Sequence, residues 1–211
     1  MVTIDGLRRP LDERVTLAEP VDGLAAAVLE LRLAAAHLDL RTCGPGEHLV
    51  ELTGHGPSLS VDRARRRVLA RQARPWLGTP RPPDVDVTLN ESVEWSLDVR
   101  APGTSGWLDL RRLRLGALQV AASGARIHAD LPEPRGPVHV RIEGRAVNAT
   151  LSAPSGTTVR FWTPHGWMVD GQQRPAPVPH ARYDVWLDGR SRCRLETGDH
   201  AANQRPVLRV V

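Results

Sequence analysis

The residues best suited to hold a metal or move a proton are eight histidines: His37, His48, His55, His128, His139, His165, His180 and His200. A zinc site needs three or four ligands at short, characteristic spacings. Two pairings approach that form. His128 and Asp130 share a strand face at i, i+2, with His139 expected on the next strand, and His37 with Asp39 repeats the spacing. Their apolar neighbours, Ile127 and Val138 among them, take the buried positions, so these side chains are expected on the solvent side. Asp109, Asp130 and Glu143 are candidates for the paired carboxylates of a polysaccharide-cleaving β-helix enzyme, although no spacing singles them out. There is no Gly-x-Ser-x-Gly nucleophile elbow. The chain contains no lysine, which removes any phosphate loop of the Gly-x-x-x-x-Gly-Lys type. Cys43 and Cys193 lie far apart and form neither a zinc pattern nor a disulfide framework. The expectation is a chain with no catalytic centre, no metal and no cofactor.

The aromatic residues suggest contact rather than catalysis. Phe161, Trp162, Trp167 and Trp186 concentrate near the C-terminus. Large rings there either close the end of a core or offer a platform to a sugar ring or a protein partner. These four are the candidate partner-binding residues. Asn90-Glu91-Ser92 and Asn148-Ala149-Thr150 match glycosylation acceptors, but no secretory signal gives them meaning.

Charge excludes one class of partner. All 28 basic residues are arginine, set against 24 acidic residues, for a net charge of +4 and a pI near 10.2. Arginine without lysine reads as the mark of a GC-rich genome. The acids are interleaved with the arginines and leave no one-signed block. The densest basic stretch, Arg63, Arg65, Arg66, Arg67, Arg71 and Arg74, reads as a turn and the solvated face of a hairpin pairing Leu59–Val61 with Val68–Ala70. It has no aromatic partners for stacking bases and no nucleic-acid motif, so nucleic acid is not expected as a partner.

The elements that must position these residues are strands. The chain has 211 residues, with 18 glycines and 18 prolines spread along it, as befits many short segments. Gly116, Gly136 and Gly156 are spaced by 20, and apolar positions recur with them: Leu118 with Val138, Ile127 with Val147, Leu131 with Leu151. Period 2 inside each segment means strands with one buried face. A longer period means that strands recur in register, the mark of a solenoid. Leu97, Val99 and Gly103 match Leu118, Val120 and Gly124 at a step of 21, which a one-residue slip in a corner would produce.

Leu24 to Leu40 has the composition of a helix, but its pattern is that of strands. Leu29, Leu31 and Leu33 alternate with Glu30 and Arg32, then Ala36, Leu38 and Leu40 alternate with His37, Asp39 and Arg41, with a phase change near Ala34-Ala35. Further strands are expected at Leu49 to Leu52 and Leu59 to Val61. The expected fold is an all-β, single-stranded, right-handed parallel β-helix (β-solenoid) with coils of about 20 residues and an irregular C-terminal cap. It forms one domain over residues 1–211: less regular strands over 1–75, regular coils over 76–160 and the cap over 161–211. The proline-rich stretch at 76–86 marks the corner between the first two parts.

The run from Val93 to Phe161 resembles the C-terminal domain of the cell wall-active antibiotics response (LiaF-like) proteins, which share the "toastrack" adhesin-like β-solenoid. The resemblance rests on Val93-Glu94-Trp95-Ser96-Leu97, Leu108-Asp109-Leu110, Leu113-Arg114-Leu115 with Gly116, and Ala129-Asp130-Leu131-Pro132. Ala153-Pro154 and Val159-Arg160-Phe161 continue it, and the Leu29–Leu40 and Leu49–Leu52 segments follow it more loosely. It implies a non-enzymatic binding or assembly module linked to the bacterial cell-envelope stress response, with no catalytic residues to carry over.

The partner expected is a protein or a second copy of the chain, as in a homo-oligomer. The alternatives are a carbohydrate-active β-helix enzyme and a solenoid scaffold that polymerises end to end. The N-terminal residues lack the apolar stretch of a secretory signal, and no run approaches the ~20 apolar residues of a membrane span. The expected location is the cytoplasm, without direct membrane insertion.

Overall fold

Apolar residues alternate with polar ones along nearly every segment, and each such segment is a strand with its apolar side inward. The computed structural model describes residues 14–46, 48–55, 57–72, 82–163, 166–169, 172–174, 182–188, 191–197 and 207–210, and for 163, 166–169, 172–174, 197 and 207–210 the backbone alone. The described residues contain no helix. The proline-rich stretch at 76–86 lies largely outside them.

The first seven strands are β1 (Arg14–Pro20), β2 (Ala26–Arg32), β3 (His37–Cys43), β4 (His48–His55), β5 (Pro57–Asp62), β6 (Arg67–Gln72) and β7 (Asp84–Asn90). The leucine-rich segment is two strands, not a helix, and Leu29, Leu31, Leu33, Leu38 and Leu40 are all buried. Ala35 sits between them at φ 48° and turns the corner where the phase changes. The expected hairpin is present, with Leu59 opposite Ala70 and Val61 opposite Val68.

Regular coils follow: β8 (Glu94–Arg100), β9 (Ser105–Asp109), β10 (Arg114–Ser123), β11 (Arg126–Asp130), β12 (Val138–Arg145) and β13 (Asn148–Ala153). The chain closes with β14 (Val159–Thr163), β15 (Gly166–Val169), β16 (Gln172–Arg174), β17 (Tyr183–Leu187), β18 (Arg192–Thr197) and β19 (Val207–Val210).

Two sheets result. Sheet one runs β1-β4-β7-β3-β9-β11-β13-β18-β19, and sheet two runs β16-β15-β14-β17-β12-β10-β8-β2-β6-β5. From β8 to β13 the chain alternates between the sheets, one strand in each per coil, and strands stack in parallel on their counterparts. The core lies between the sheets. It is built from inward rows such as Leu29, Leu97, Leu118 and Val140 on one side and Leu40, Leu108, Ala129 and Leu151 on the other. Each buried Leu, Ile or Val contributes about 1.5–3 kcal/mol relative to exposure.

The expected wholly parallel helix, wound in sequence order, needs two corrections. The sheets are mixed: β4 pairs antiparallel with β1 and β7, and β5 with β6. The stacking order also departs from the chain order. β2 lies between β6 and β8, β3 between β7 and β9, and β17 between β12 and β14.

The step is also corrected. Ala117 pairs with His139 and Ile127 with Ala149, a step of 22 rather than 20. The step of 21 between Leu97 and Leu118 holds. Gly116 occupies an irregularity in β10 where the register shifts between Leu115 and Ala117. Gly136 precedes β12, and Gly156 leads toward β14, which β17 separates from β12. The three glycines therefore do not stack at one corner. The stacked corner is carried by Ala35, Gly103, Gly124 and Ala146, all with φ between 48° and 67°. The first three hand on a backbone hydrogen bond: the Ala35 N–H donates to Pro102 O at 2.8 Å, Gly103 to Ser123 at 2.7 Å and Gly124 to Arg145 at 2.8 Å.

Trp95, fully buried in β8, closes the opposite corner. Its indole N–H donates to Asn90 O at 2.9 Å. The Asn90 side chain is buried as well: its amide donates to Gly46 O and His48 O, and its oxygen accepts from Ser92. Asn90 is a structural plug there, with no free amide for a glycan.

Candidate functional site

Parallel strands in register place outward residues of equal parity in rows across a sheet, about 4.8 Å apart. On sheet two, β12, β17 and β14 lie side by side and contribute two such rows. One is His139, Asp184 and Arg160; the other is Arg141, Trp186 and Trp162. In the second row the indoles of Trp162 and Trp186 stack, with centroids 5.2 Å apart and planes 12° from parallel. The Arg141 guanidinium carbon lies 4.6 Å above the Trp186 ring. Its position is set by Glu143, which accepts from Arg141 Nε at 3.0 Å and from Gln119 Nε2 at 3.0 Å. In the first row Asp184 pairs with Arg160, and His139 Nδ1 stands 3.9 Å from Asp184 Oδ2. The two rows line an open groove of about 620 Å³.

The four aromatic residues expected at a partner surface are thus divided. Trp162 and Trp186 meet on the outer face. Phe161 points the other way, into the core, and is 0% exposed, because successive residues of a strand face opposite sides. Trp167 pairs with Trp162 through the β14–β15 backbone, and its side chain lies outside the described residues. The sequence reading missed Arg141, whose place beside Trp186 follows only from the β12–β17 pairing.

It also missed Trp107, on sheet one. Trp107 is the large hydrophobic residue left exposed among those described, at 53%. Its ring centroid lies 4.5 Å from that of His128, tilted by 36°. The signal was in the sequence: Leu108 and Leu110 are inward, so Trp107 and Asp109 fall on the outward parity.

The other candidates do not assemble as a reaction centre. His128 Nε2 is 3.1 Å from Asp130 Oδ1 on sheet one, whereas His139 is on sheet two. Asp109 and Asp130 are register neighbours on sheet one, and Glu143 is on sheet two. Asp109 accepts from Arg111 Nε at 2.8 Å. His37 and Asp39 do share a face, but Asp39 accepts from Arg41 Nε at 3.0 Å. Among the described residues no three His, Cys, Asp or Glu side chains cluster as a metal site would require.

Many of the described arginines are held by acids. Arg41, Arg100 and Arg111 bond to the acid two residues earlier, Asp39, Asp98 and Asp109. Those hydrogen bonds, then the charges of the same carboxylates, raise the arginine pKa values. In the basic stretch, Arg63 pairs with Asp22 at 2.7 Å and Arg67 with the buried Glu30 at 3.1 Å. This pairing is why so many arginines produce no continuous basic face. Burial pushes the Cys193 thiol up to about 12 and raises the Cys43 thiol as well.

No family model matches the chain. A curated relative, the outer-membrane lipoprotein LolB of Bordetella petrii, is 37% identical over 67 residues, which is 32% of this chain and 33% of that protein. The chain therefore spans about a third of the length of the curated relative it matches. Among solved structures, a candidate cell adhesion protein from Clostridium sporogenes superposes with a TM-score of 0.65 at 16% identity, covering 88% of this chain and 95% of that one. At that identity the likeness is one of fold.

Proposed function

We propose that this chain is a non-enzymatic binding module that engages a protein partner through the outer face of sheet two, with Trp186, Trp162 and Arg141 as the anchor. The observation that carries the reading is the ordered stack of Arg141, Trp186 and Trp162 in an open groove. Tryptophan and arginine dominate binding hot spots because they bury large, rigid surfaces. Here the rings already hold one another, so little side-chain entropy is lost on association.

A role in the bacterial envelope-stress response, as in LiaF-like proteins, is supported by the Val93–Phe161 motifs. The adhesin-like fold is compatible with it, and also with a binding role in general. A β-solenoid reading of the coils, right-handed in its winding, is supported by the parallel strands and by the strong preference for right-handed crossovers. A cytoplasmic location belongs to the same proposal and is supported by two free cysteines. Among the described residues no helix is long and apolar enough to cross a membrane. A non-catalytic role is supported by the engagement of Asp109 by Arg111 and of Asp130 by His128, and by the placing of Glu143 on the other sheet.

The test is to use the purified chain and its Trp186→Ala variant as bait against the solubilised envelope fraction of the source bacterium. The wild type should retain a defined envelope protein, and the variant should lose it by at least about tenfold, the loss of ~1.4 kcal/mol. Equal retention by both, or release of reducing ends from a polysaccharide panel by the purified chain, would overturn the proposal.

A further inference from the structure

The face of sheet one carries a second site, which the proposal above does not use. Two rows cross four adjacent strands there. Asp86, Asp39, Trp107 and His128 form one row on β7, β3, β9 and β11, and Asp84, His37, Ser105 and Arg126 form the other. The four strands span about 14 Å at the inter-strand spacing. Ser105 is short and sits between His37 and Arg126, while Trp107 rises beside it. A long open depression of about 640 Å³ results, with the exposed indole along it.

The electrostatics restrict what fits. Three aspartates and two arginines line the groove, and Arg41, bonded to Asp39, brings the sides into balance. Arg14 is paired with Asp86, Arg41 with Asp39, and His128 Nε2 is hydrogen-bonded to Asp130 Oδ1. Charges already paired offer little net attraction to a charged ligand, and exposed pairs contribute weakly in any case. They still present carboxylate oxygens that accept, and guanidinium N–H groups that donate, hydrogen bonds fixed in place by their partners. A flat indole beside such a neutral, polar, pre-ordered rim matches a ligand with an apolar C–H face and a ring of hydroxyls. We infer that this groove binds an extended neutral oligosaccharide, with a sugar ring stacked on Trp107 and its hydroxyls bonded to Asp39 and its neighbours.

The experiment follows the indole N–H signals of the full 15N-labelled chain, with Trp107 identified by its loss in Trp107→Phe. Chitotetraose, cellotetraose and maltotetraose serve as neutral probes, and tetragalacturonate as the charged one. At least one neutral probe should shift the Trp107 signal saturably in the millimolar range. Trp107→Ala, which removes an exposed ring and leaves the fold intact, should weaken that binding at least about tenfold, read from the backbone amide signals of β3 and β9 because the variant lacks the Trp107 indole. Asp39→Ala should weaken it several-fold, and Trp186→Ala should leave it unchanged, which separates this site from the sheet-two anchor. The inference is overturned if no neutral probe moves the signal up to its solubility limit, if only the charged probe does, if Trp107→Ala binds as well as wild type, or if the sheet-two partner protein shifts the Trp107 signal instead.

Discussion

Trp107 on sheet one and Trp186 on sheet two occupy equivalent settings, each outward on a central parallel strand, yet their surroundings differ. Trp186 has Trp162 on one side and Arg141 on the other, so its ring is stacked and capped. Trp107 has His128 on one side and Asp39 on the other, and more than half of it stays in water. On an in-register ladder the partners of a side chain are the residues on adjacent strands, and cross-strand pairs are what stabilise or expose it. The strand sequence places the ring outward. The strands packed beside it decide whether it becomes a stabilising stack or an open platform.

The comparison breaks most severely if the ladder beneath it is distorted. Gly144, in β12 three residues beyond Arg141, has φ +132°, and a Cβ there would meet Ala122 O at 1.6 Å. Gly144→Ala should cost about 3 kcal/mol or more and should disturb the sheet-two stack before the Trp107 groove. Gly124→Ala, with φ +60° and open space around the added carbon, should cost only about 1 kcal/mol. Urea midpoints of the two variants check both, and equal values would show that corner strain rather than the Ala122 contact sets the cost.

A smaller effect sharpens the contrast between the tryptophans. Trp186→Ala should destabilise by about 1–2 kcal/mol through loss of the stack and the cation–π contact. Trp107→Ala should stay within about 0.5 kcal/mol of wild type, as substitutions of exposed residues do. If chemical denaturation gives the two equal costs, the neighbours do not matter as argued.

The smallest effect concerns the thiols of sheet one. Cys193 faces inward on β18 and is buried, while Cys43 at the end of β3 is partly accessible. At pH 8 a thiol whose pKa is about 12 is thiolate in roughly one molecule in ten thousand. A thiol reagent should therefore label Cys43 in the native protein and both residues after unfolding. Burial favours the neutral Cys193 thiol, so its contribution to stability is complete below the unfolded pKa near 9. It is lost as the pH rises from there toward 12. Rapid native labelling of Cys193 would show that β18 opens.

Much of the fold was legible. Alternation identified β2 and β3 against the helical propensity of their leucines and alanines, because buried parity outweighs propensity when both faces of a helix would carry charge. It also identified the β5–β6 hairpin around the arginines. The site was legible only in part. Trp162 and Trp186 stood out as aromatics, but the same feature drew in Phe161, whose parity sends it into the core. Trp107 was legible by parity and was missed because it stands alone in its segment.

Period-2 alternation by itself determined that the segments are strands and which side of each strand is buried. The tertiary structure decided the register, the stacking order and therefore every cross-strand neighbour. The reason is geometric. A slip of one residue turns the apolar side outward, but a slip of two preserves it, so pairing Leu118 with Val138 or with Val140 buries leucine and valine equally well. The choice of Val140 rests on corners 22 residues apart, at Gly124 and Ala146, whose positive φ lets the chain turn in step. The placing of β2 and β3 between strands that follow them in the chain left no trace in local pattern, because a strand edge offers its hydrogen bonds to any parallel neighbour of the right parity.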